Sequence, residues 1–258
     1  MSSPVQNTSS PYAPAHDVLR RLAMKANGLT GADIERLVCE ARQKARREQR
    51  PLEWRDLEAI LTVAKPAKPE SLRWRVALHE SGHAVARLVL KLGRVTMITI
   101  DGWDGGGMVE TDQPAVDEET EERAEALLQI RLAGRAAEKE LLGSVTAGSG
   151  GTSSSDLAGA TELALAMETS LGFARNAPLL YRATDDRASL LIYNPDIANR
   201  VNARLEAAYA KACELIRRNR MAIETLARAL MDHDTLEGGE LGSIFQQLEE
   251  MLAVLPNP

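Results

Sequence analysis

The sequence predicts a mainly α-helical fold with a small β-hairpin or edge sheet. Aromatic residues make up only 3% of the 258 residues, whereas Ala, Leu, Glu and Arg abound. These residue types favour helices over a β-sandwich. One stretch differs, because residues 94–100 (RVTMITI) alternate β-branched residues with others and a glycine-rich turn leads from them into 108–111. That pattern predicts the hairpin.

The N-terminal quarter is predicted to hold a disordered segment and then a small helical subdomain. Residues 1–16 are polar and contain prolines, which is typical of disorder. A short helix is predicted over 17–24. Thr30 and Asp33 form a variant of the capping box that begins the next helix. The apolar face of that helix consists of Ile34, Leu37, Val38, Ala41 and Ala45.

A shorter helix is predicted over 54–63, and a linker follows it. Residues 64–70 carry two prolines and two lysines without any periodicity, which is typical of a linker. The predicted organisation is therefore a helical subdomain over 17–63, a linker over 64–70 and a larger domain over 71–258.

The helix predicted over 72–91 carries His79, Glu80 and His83 in the pattern H-E-x-x-H. An α-helix turns once in about 3.6 residues, so both imidazoles lie on one face and can bind a single ion. Zinc accepts imidazole nitrogen, and Glu80 is placed to take a proton from a zinc-bound water. The chain has only four histidines, and the segment around this pair is apolar nearly all round. A metal site explains this buried pattern better than a surface helix.

The remainder of the chain is predicted to be helical with one flexible loop. The predicted helices span 118–142, 155–171, 196–218, 220–231 and 239–252. Asn219 and an acidic turn over 232–239 separate the last three. Residues 143–155 (GSVTAGSGGTSSS) consist mainly of Gly, Ser and Thr, which predicts a flexible loop before Asp156.

Two acidic residues are candidates for a third zinc ligand. Asp156 follows the flexible loop and begins a helix, where the helix dipole keeps a carboxylate ionised. The same position also suits a simple capping residue. Glu138 lies in a helix among small residues. Three roles are open to it, which are metal ligand, residue that orients a histidine, and exposed glutamate. Position in the sequence does not decide between these alternatives.

Charge, cysteine content and hydropathy exclude several classes of protein. A net charge of −6 argues against nucleic-acid binding, and the basic run 42–50 indicates a solvated or subunit-facing surface. Cys39 and Cys213 lie far apart in helical patterns, which predicts neither a disulfide nor a cysteine metal site. No apolar run approaches the roughly 20 residues that span a bilayer. We expect a cytoplasmic chain, or one on the cytoplasmic face of a membrane if a longer parent protein carries an upstream transmembrane segment.

Four segments occur in an order that resembles a known family. They are HESGHAVA (79–86), LAGRAAEKELLG (132–143), SDLAGATELALAM (155–167) and the helical tail over 208–241. Together they resemble the peptidase domain of the FtsH-type ATP-dependent zinc metalloproteases. The resemblance implies a zincin-like helical peptidase that holds Zn²⁺ through His79, His83 and Asp156. It also implies Glu80 as the catalytic base and Glu138 as a supporting residue near the site.

Residues 28–61 resemble the helical lid subdomain of an AAA+ ATPase. The matching residues are Gly28, Thr30, Gly31, Ala32 and Asp33. No G-x-x-x-x-G-K-[ST] occurs in the chain, so we expect it neither to bind nor to hydrolyse ATP. The resemblance implies a fragment that begins within the lid of a longer protein, and a hexamer that degrades unfolded proteins delivered by an ATPase.

Three features depart from the family pattern. The loop before Asp156 is longer and richer in Gly and Ser, Ser155 replaces the usual Asn, and residues 190–195 (LLIYNP) are more apolar. We expect a zinc-dependent endopeptidase that acts on unfolded protein substrates. A catalytically silent scaffold that assembles a ring and an ATP-independent metallopeptidase remain alternatives.

Overall fold

The structure is a computed structural model. It describes residues 18–19, 22–23, 25–26, 29–64, 68–102, 106–112, 118–182 and 187–253. The segment predicted to be disordered, residues 1–16, lies outside the described residues, and the helix predicted over 17–24 is described only in part.

The described residues form a mainly α-helical fold with one small sheet, as the sequence predicts. The helices are α1 (Gly31–Arg47), α2 (Trp54–Ala64), α3 (Glu70–Leu90), α4 (Glu121–Leu142), α5 (Asp156–Thr169), α6 (Arg187–Tyr193), α7 (Pro195–Arg218), α8 (Arg220–His233) and α9 (Gly238–Ala253). The strands are β1 (Arg94–Thr99), β2 (Met108–Asp112) and β3 (Thr235–Glu237). No helix among these residues is long and apolar enough to cross a membrane.

The chain divides into two compact units, and the first comprises Met1–Pro69 with Asp101–Gly106. The predicted capping box is confirmed, because the Asp33 amide donates to Thr30 Oγ1 while the Thr30 amide donates to Asp33 Oδ2, both at 3.2 Å. Arg50 binds Asp56 through two hydrogen bonds of 2.7 and 2.6 Å. These bonds hold the pKa of Asp56 well below its usual range. The pair thus joins the start of α2 to the turn that precedes it.

The second unit comprises Glu70–Ile100 and Gly107–Pro258, and its core lies between α3, α4, α5, α7 and α8. A Cβ at Gly82 of α3 would lie 2.8 Å from both the Ala133 carbonyl oxygen and Ala137 Cβ of α4. The two helix backbones therefore approach closely, and a larger residue at this crossing would force them apart. The largest fully buried side chains are Leu78, Ile98, Ile100, Leu128, Ile130, Leu165, Met167, Ile197, Ile216, Ile223, Leu226 and Leu230.

The sheet has the order β2-β1-β3, and both pairings are antiparallel. Strand β1 pairs with β2 from Arg94 opposite Asp112 to Thr99 opposite Met108, with an irregularity between Val95 and Met97. The predicted hairpin is therefore confirmed. Within the described part of the chain, β2 has no strand along its outer edge.

Strand β3 corrects one prediction. The sequence analysis assigns residues 232–239 to an acidic turn, but Thr235–Glu237 pairs with Met97–Thr99. Leu236 is fully buried within this strand. A three-residue strand with one apolar side chain carries no local periodicity, and only its distant partner reveals it.

Helix α6 accounts for the apolar stretch that departs from the family pattern. Leu190 and Leu191 pack against the core, whereas Ile192 and Tyr193 are 68% and 81% exposed. Asn194 then caps α7, accepting a hydrogen bond from the Ile197 amide at 3.1 Å, and Pro195 occupies the first turn. The stretch thus combines a short core-packing helix with the start signal of the next one.

Candidate metal centre

Three side-chain atoms predicted as zinc ligands converge at one point between α3, α4 and α5. His79 Nε2 lies 3.1 Å from Asp156 Oδ2, His83 Nε2 lies 3.2 Å from the same oxygen, and the two Nε2 atoms are 3.1 Å apart. In tetrahedral zinc sites with bonds of about 2.0–2.1 Å, ligand atoms are separated by about 3.3 Å. The spacing and the donor set of two imidazoles and one carboxylate therefore fit a zinc ion.

The outer ring nitrogens of the two histidines fix their tautomers. His83 Nδ1 lies 2.7 Å from the Ile130 carbonyl oxygen, and His79 Nδ1 lies 2.9 Å from Glu138 Oε1. Both contacts require Nδ1 to donate, so in the neutral rings each Nε2 presents a lone pair. Two lone pairs and a carboxylate oxygen then face one another, which is unfavourable unless a cation lies between them.

The carboxylates make the centre strongly attractive to positive charge. Burial lowers the pKa of His79, but hydrogen bonds to Asp156 and Glu138 outweigh it and raise the pKa to about 10. Burial raises the pKa of Asp156, but its bonds to both imidazoles hold it well below the usual range. Without a metal, a proton on His79 supplies the missing positive charge. A metal ion must displace that proton in order to bind.

Glu138 lies outside the group of three converging ligand atoms, and it is not exposed. Its side chain is 2% exposed and accepts hydrogen bonds from His79 Nδ1, Arg75 Nη1 and the Thr146 amide, each at 2.9 Å. Burial raises the pKa of Glu138, but these bonds outweigh it and lower the pKa to about 2. Arg75 also donates to the Ser144 carbonyl oxygen at 2.9 Å. Glu138 therefore orients His79 and anchors the beginning of the loop that leads to Asp156.

Gly134 allows α4 to lie directly over the two imidazoles. A Cβ at this position would meet His79 Cδ2 and His83 Nε2, each at 2.5 Å, and His79 Nε2 as well. Even the smallest side chain would thus displace the Nε2 atoms of both histidines. Gly134 is one of the small residues around Glu138, and no local signal in the sequence reveals its contact with the histidines.

Ser155, and not Asp156, caps α5. The Ser155 hydroxyl accepts a hydrogen bond from the Ala158 amide at 3.3 Å, while Asp156 occupies the first helical position. The side chain of Asp156 is thereby free to turn towards the histidines, and it remains 33% exposed. A carboxylate at a helix N-terminus is also stabilised by the helix dipole.

Glu80 is buried, with 7% of its surface exposed, and lies against the beginning of β2. A Cβ at Gly107 would be 2.5 Å from Glu80 Cγ and 2.7 Å from Glu80 Oε1. Glycine at position 107 therefore lets the backbone before β2 approach the Glu80 carboxylate. This contact was not apparent from the sequence, where Gly107 is one of several glycines in a turn.

Comparison with known proteins places the chain in a family. The sequence profile of peptidase family M41 matches residues 68–244, which is more than half of the chain. The chain belongs to peptidase family M41. The match includes all four residues of the centre, His79, Glu80, His83 and Asp156.

Curated relatives of this M41 chain include three bacterial proteins. The ATP-dependent zinc metalloprotease FtsH of Thermotoga maritima is 30% identical over 260 residues, which cover 90% of this chain and 42% of that protein. FtsH 1 of Sorangium cellulosum is 31% identical, covering 86% and 39%. FtsH of Mycoplasma genitalium is 32% identical, covering 83% and 33%. The M41 chain thus spans less than half the length of these relatives.

Two concave regions occur in the second unit of the M41 chain. A pocket of about 490 Å³ lies between the loop and α5, lined in part by Gly150, Thr152, Leu157 and Thr161. A groove of about 1950 Å³ lies at the far end of α3, between β1, α7 and α9, and neither the histidines nor Asp156 line it. The histidines and Asp156 do not line the smaller pocket either, so we assign the chemistry to the point where these three side chains converge and to neither concave region.

Proposed function

We propose that the chain is a zinc-dependent endopeptidase in which His79, His83 and Asp156 hold the ion. The observation that carries this proposal is the convergence of two imidazole lone pairs and a carboxylate oxygen within 3.2 Å of one another. Membership of a peptidase family supports it, and so does the name zinc metalloprotease of the relatives.

Each group around the proposed ion has a separate role in catalysis. A zinc ion bound there supplies a Lewis acid that polarises the scissile carbonyl group and acidifies a water molecule. Glu80 takes the proton of the attacking water and delivers it to the leaving amine. Glu138 keeps His79 in the tautomer that presents Nε2.

Strand β2 is the proposed binding edge for an extended peptide. Its outer edge pairs with no strand in the described residues, and its beginning lies against Glu80. Main-chain hydrogen bonds to such an edge align a substrate independently of its sequence. The alternative is that β2 has only a structural role, as part of a small sheet that covers one side of the core.

We further propose that unfolded proteins are the substrates and that an AAA+ ATPase normally delivers them. The relatives are named ATP-dependent, and residues 28–61 resemble an AAA+ lid. On this proposal residues 17–63 form a lid-like subdomain, residues 64–70 a linker and residues 71–258 the peptidase domain. The family resemblance also suggests a hexamer, which sedimentation velocity would detect.

Zinc content and casein cleavage, measured on the same preparations, test the proposed activity. We expect about one zinc ion per chain and cleavage of casein. Glu80→Gln should retain zinc while cleavage falls by about 10²–10⁴-fold, since general-base catalysis contributes that much. Glu206→Gln, at an exposed glutamate on α7, serves as the matched control. A silent scaffold would show no cleavage in any variant, and cleavage by Glu80→Gln at the wild-type rate would exclude Glu80 as the base.

A further inference from the structure

Two arginines lie one helical turn from the proposed zinc ligands, on the same side. Contacts of His79 with Glu138 and of His83 with Ile130 show that α3 and α4 run antiparallel. Arg87 follows His83 by four residues on the ligand-bearing face of α3. On α4, Arg131 lies three residues before Gly134, the glycine that faces the imidazoles.

The contact of Arg131 with α5 places its guanidinium group close to the centre. A Cβ at Gly159 would lie 3.1 Å from Arg131 Cζ and 3.7 Å from Arg131 Nε, and it would meet Nη1 still more closely. Gly159 follows Asp156 by three residues on α5. The guanidinium group therefore lies across the α5 backbone about one turn from Asp156, in a notch that exists only because residue 159 has no side chain.

Neither arginine has a carboxylate partner within the described residues. Arg131 is exposed and makes no hydrogen bond or ion pair there. Arg87 is half-buried, its Nη1 donates to the Leu92 carbonyl oxygen at 3.2 Å, and the residue lines the groove at the far end of α3. Burial lowers the pKa of Arg87, and the positive charge of Arg131 lowers it further.

Three other arginines of the same unit are paired with buried carboxylates. Arg75 binds Glu138, and both Arg200 and Arg204 bind Glu168. No carboxylate offsets the charge of Arg87 or Arg131 in this way. An anion bound at Arg131 is attracted by the positive charge of both arginines.

We propose that Arg131 forms a subsite that binds a carboxylate of the peptide substrate, and that the charge of Arg87 strengthens the attraction. One helical turn is about 5.4 Å, and an extended peptide advances about 3.3 Å per residue. The carboxylate therefore belongs to a residue within about two positions of the scissile bond. It comes either from an Asp or Glu side chain or from the C-terminus of the peptide. This inference rests on the proposed function, because it assumes that a peptide crosses the zinc centre.

Peptide binding tests the subsite without relying on turnover. Fluorescent ten-residue peptides of neutral sequence would be titrated by anisotropy against the zinc-loaded Glu80→Gln chain. One series carries a single Glu, or Gln in the same place, at successive positions and has an amidated C-terminus. A second pair is neutral and differs only in a free or amidated C-terminus. We expect the best carboxylate-bearing peptide to bind at least about tenfold more tightly than its neutral partner.

Variants decide whether Arg131 causes that preference. Arg131→Gln should reduce the ratio to about one, and so should Gly159→Ala, whose added methyl displaces the guanidinium group while favouring the helix. Arg131→Lys should keep part of the preference, because it retains the charge but not the paired donors. Arg228→Gln, at an exposed arginine on α8, should leave the ratio unchanged.

The possible outcomes distinguish failure of the subsite proposal from failure of the proposed function. Preference for internal Glu assigns the subsite to side chains, and preference for the free C-terminus alone assigns it to chain ends. Equal binding of all peptides overturns the subsite. A preference that survives in both Arg131→Gln and Gly159→Ala also overturns it, since the carboxylate then binds the zinc ion itself. If the subsite variants behave as expected while the chain with Glu80 intact cleaves none of these peptides or casein, the proposed activity fails and the subsite stands.

Discussion

Glu138 and Glu168 are both buried glutamates, but they differ in the residues that bind them and in their roles. Their side chains are 2% and 3% exposed, and each lies within a helix of the second unit. Glu168 is bound by Arg200 Nε at 2.8 Å and Arg204 Nε at 2.6 Å. Glu138 is bound by Arg75 and by His79, whose other ring nitrogen faces the metal centre.

The difference lies in what the partners can do with the negative charge. Guanidinium groups are always protonated, so the two arginines balance the charges of Glu168 and of Glu121, which also binds Arg204. An imidazole can release a proton and bind a metal ion in its place. Because Glu138 is bound at Nδ1 of His79, it affects the basicity of Nε2. In this chain, Glu138 differs from Glu168 because a histidine links it to the candidate metal centre.

The largest effect that distinguishes the two glutamates should be on stability. Glu168→Gln leaves Arg204, 13% exposed, without its buried counter-charge, and breaking such a pair costs about 3–5 kcal/mol of unfolding free energy. Zinc binding by the folded protein should remain as in the wild type. Urea denaturation and zinc titration measure the two quantities, and a loss of less than about 1 kcal/mol would refute the structural role of Glu168.

Glu138→Gln should act on zinc affinity instead. Replacement of a residue that orients a metal-bound histidine typically weakens binding by about 10–100-fold, because the ring orientation and basicity change. Competition with a chromophoric chelator measures this effect. An unchanged affinity would show that the contact of Glu138 with His79 does not influence zinc binding.

Gly134→Ala tests the close approach of α4 to the histidines. The added Cβ meets both imidazoles, so the helices must separate or the rings must turn. Overpacking of this kind costs about 1–3 kcal/mol, and zinc affinity should fall with it. Gly239→Ala is the matched control, since a Cβ at that position has open space. Equal zinc affinity for the two variants would contradict the packing described for α4.

A change of pH should distinguish Glu138 from Glu168 without any substitution, because the partner of Glu138 is a histidine and the partners of Glu168 are arginines. The pKa of His79 is raised to about 10, so a zinc ion binding below that pH must displace a proton. The apparent zinc affinity should therefore rise about tenfold per pH unit between roughly pH 7 and pH 9. The metal-free protein should lose stability as the pH rises from about 6.5 to about 10, because the charged His79 favours the folded state. Calorimetric titration in buffers of different ionisation enthalpy would detect the released proton, and its absence would contradict the raised pKa.

Spacing within one helix makes part of the centre predictable from the sequence. His79, Glu80 and His83 share a single turn of α3, and helical geometry brings the two imidazoles together. Asp156 lies 77 residues beyond His79, and only the family resemblance selects it over a simple cap. The helices were predictable because their apolar periodicity and caps are local.

Contacts between distant segments account for what the sequence analysis missed. Strand β3 exists because β1 lies beside it, and the role of Arg75 depends on a loop about 70 residues away. Gly107 and Gly159 matter for the side chains that lie against them, which are Glu80 and Arg131. None of these relations leaves a pattern within its own segment.

X-ray absorption at the zinc edge of the zinc-loaded protein tests the central claim most directly. We predict one zinc ion per chain with nitrogen and oxygen neighbours at about 2.0–2.1 Å, two of them imidazoles, and no sulfur neighbour at about 2.3 Å. Asp156→Asn should lose the ion on dialysis, whereas Glu206→Gln should keep it. Sulfur in the first coordination shell, which would implicate Cys39 or Cys213, or a wild-type spectrum retained in Asp156→Asn would contradict the assignment of His79, His83 and Asp156.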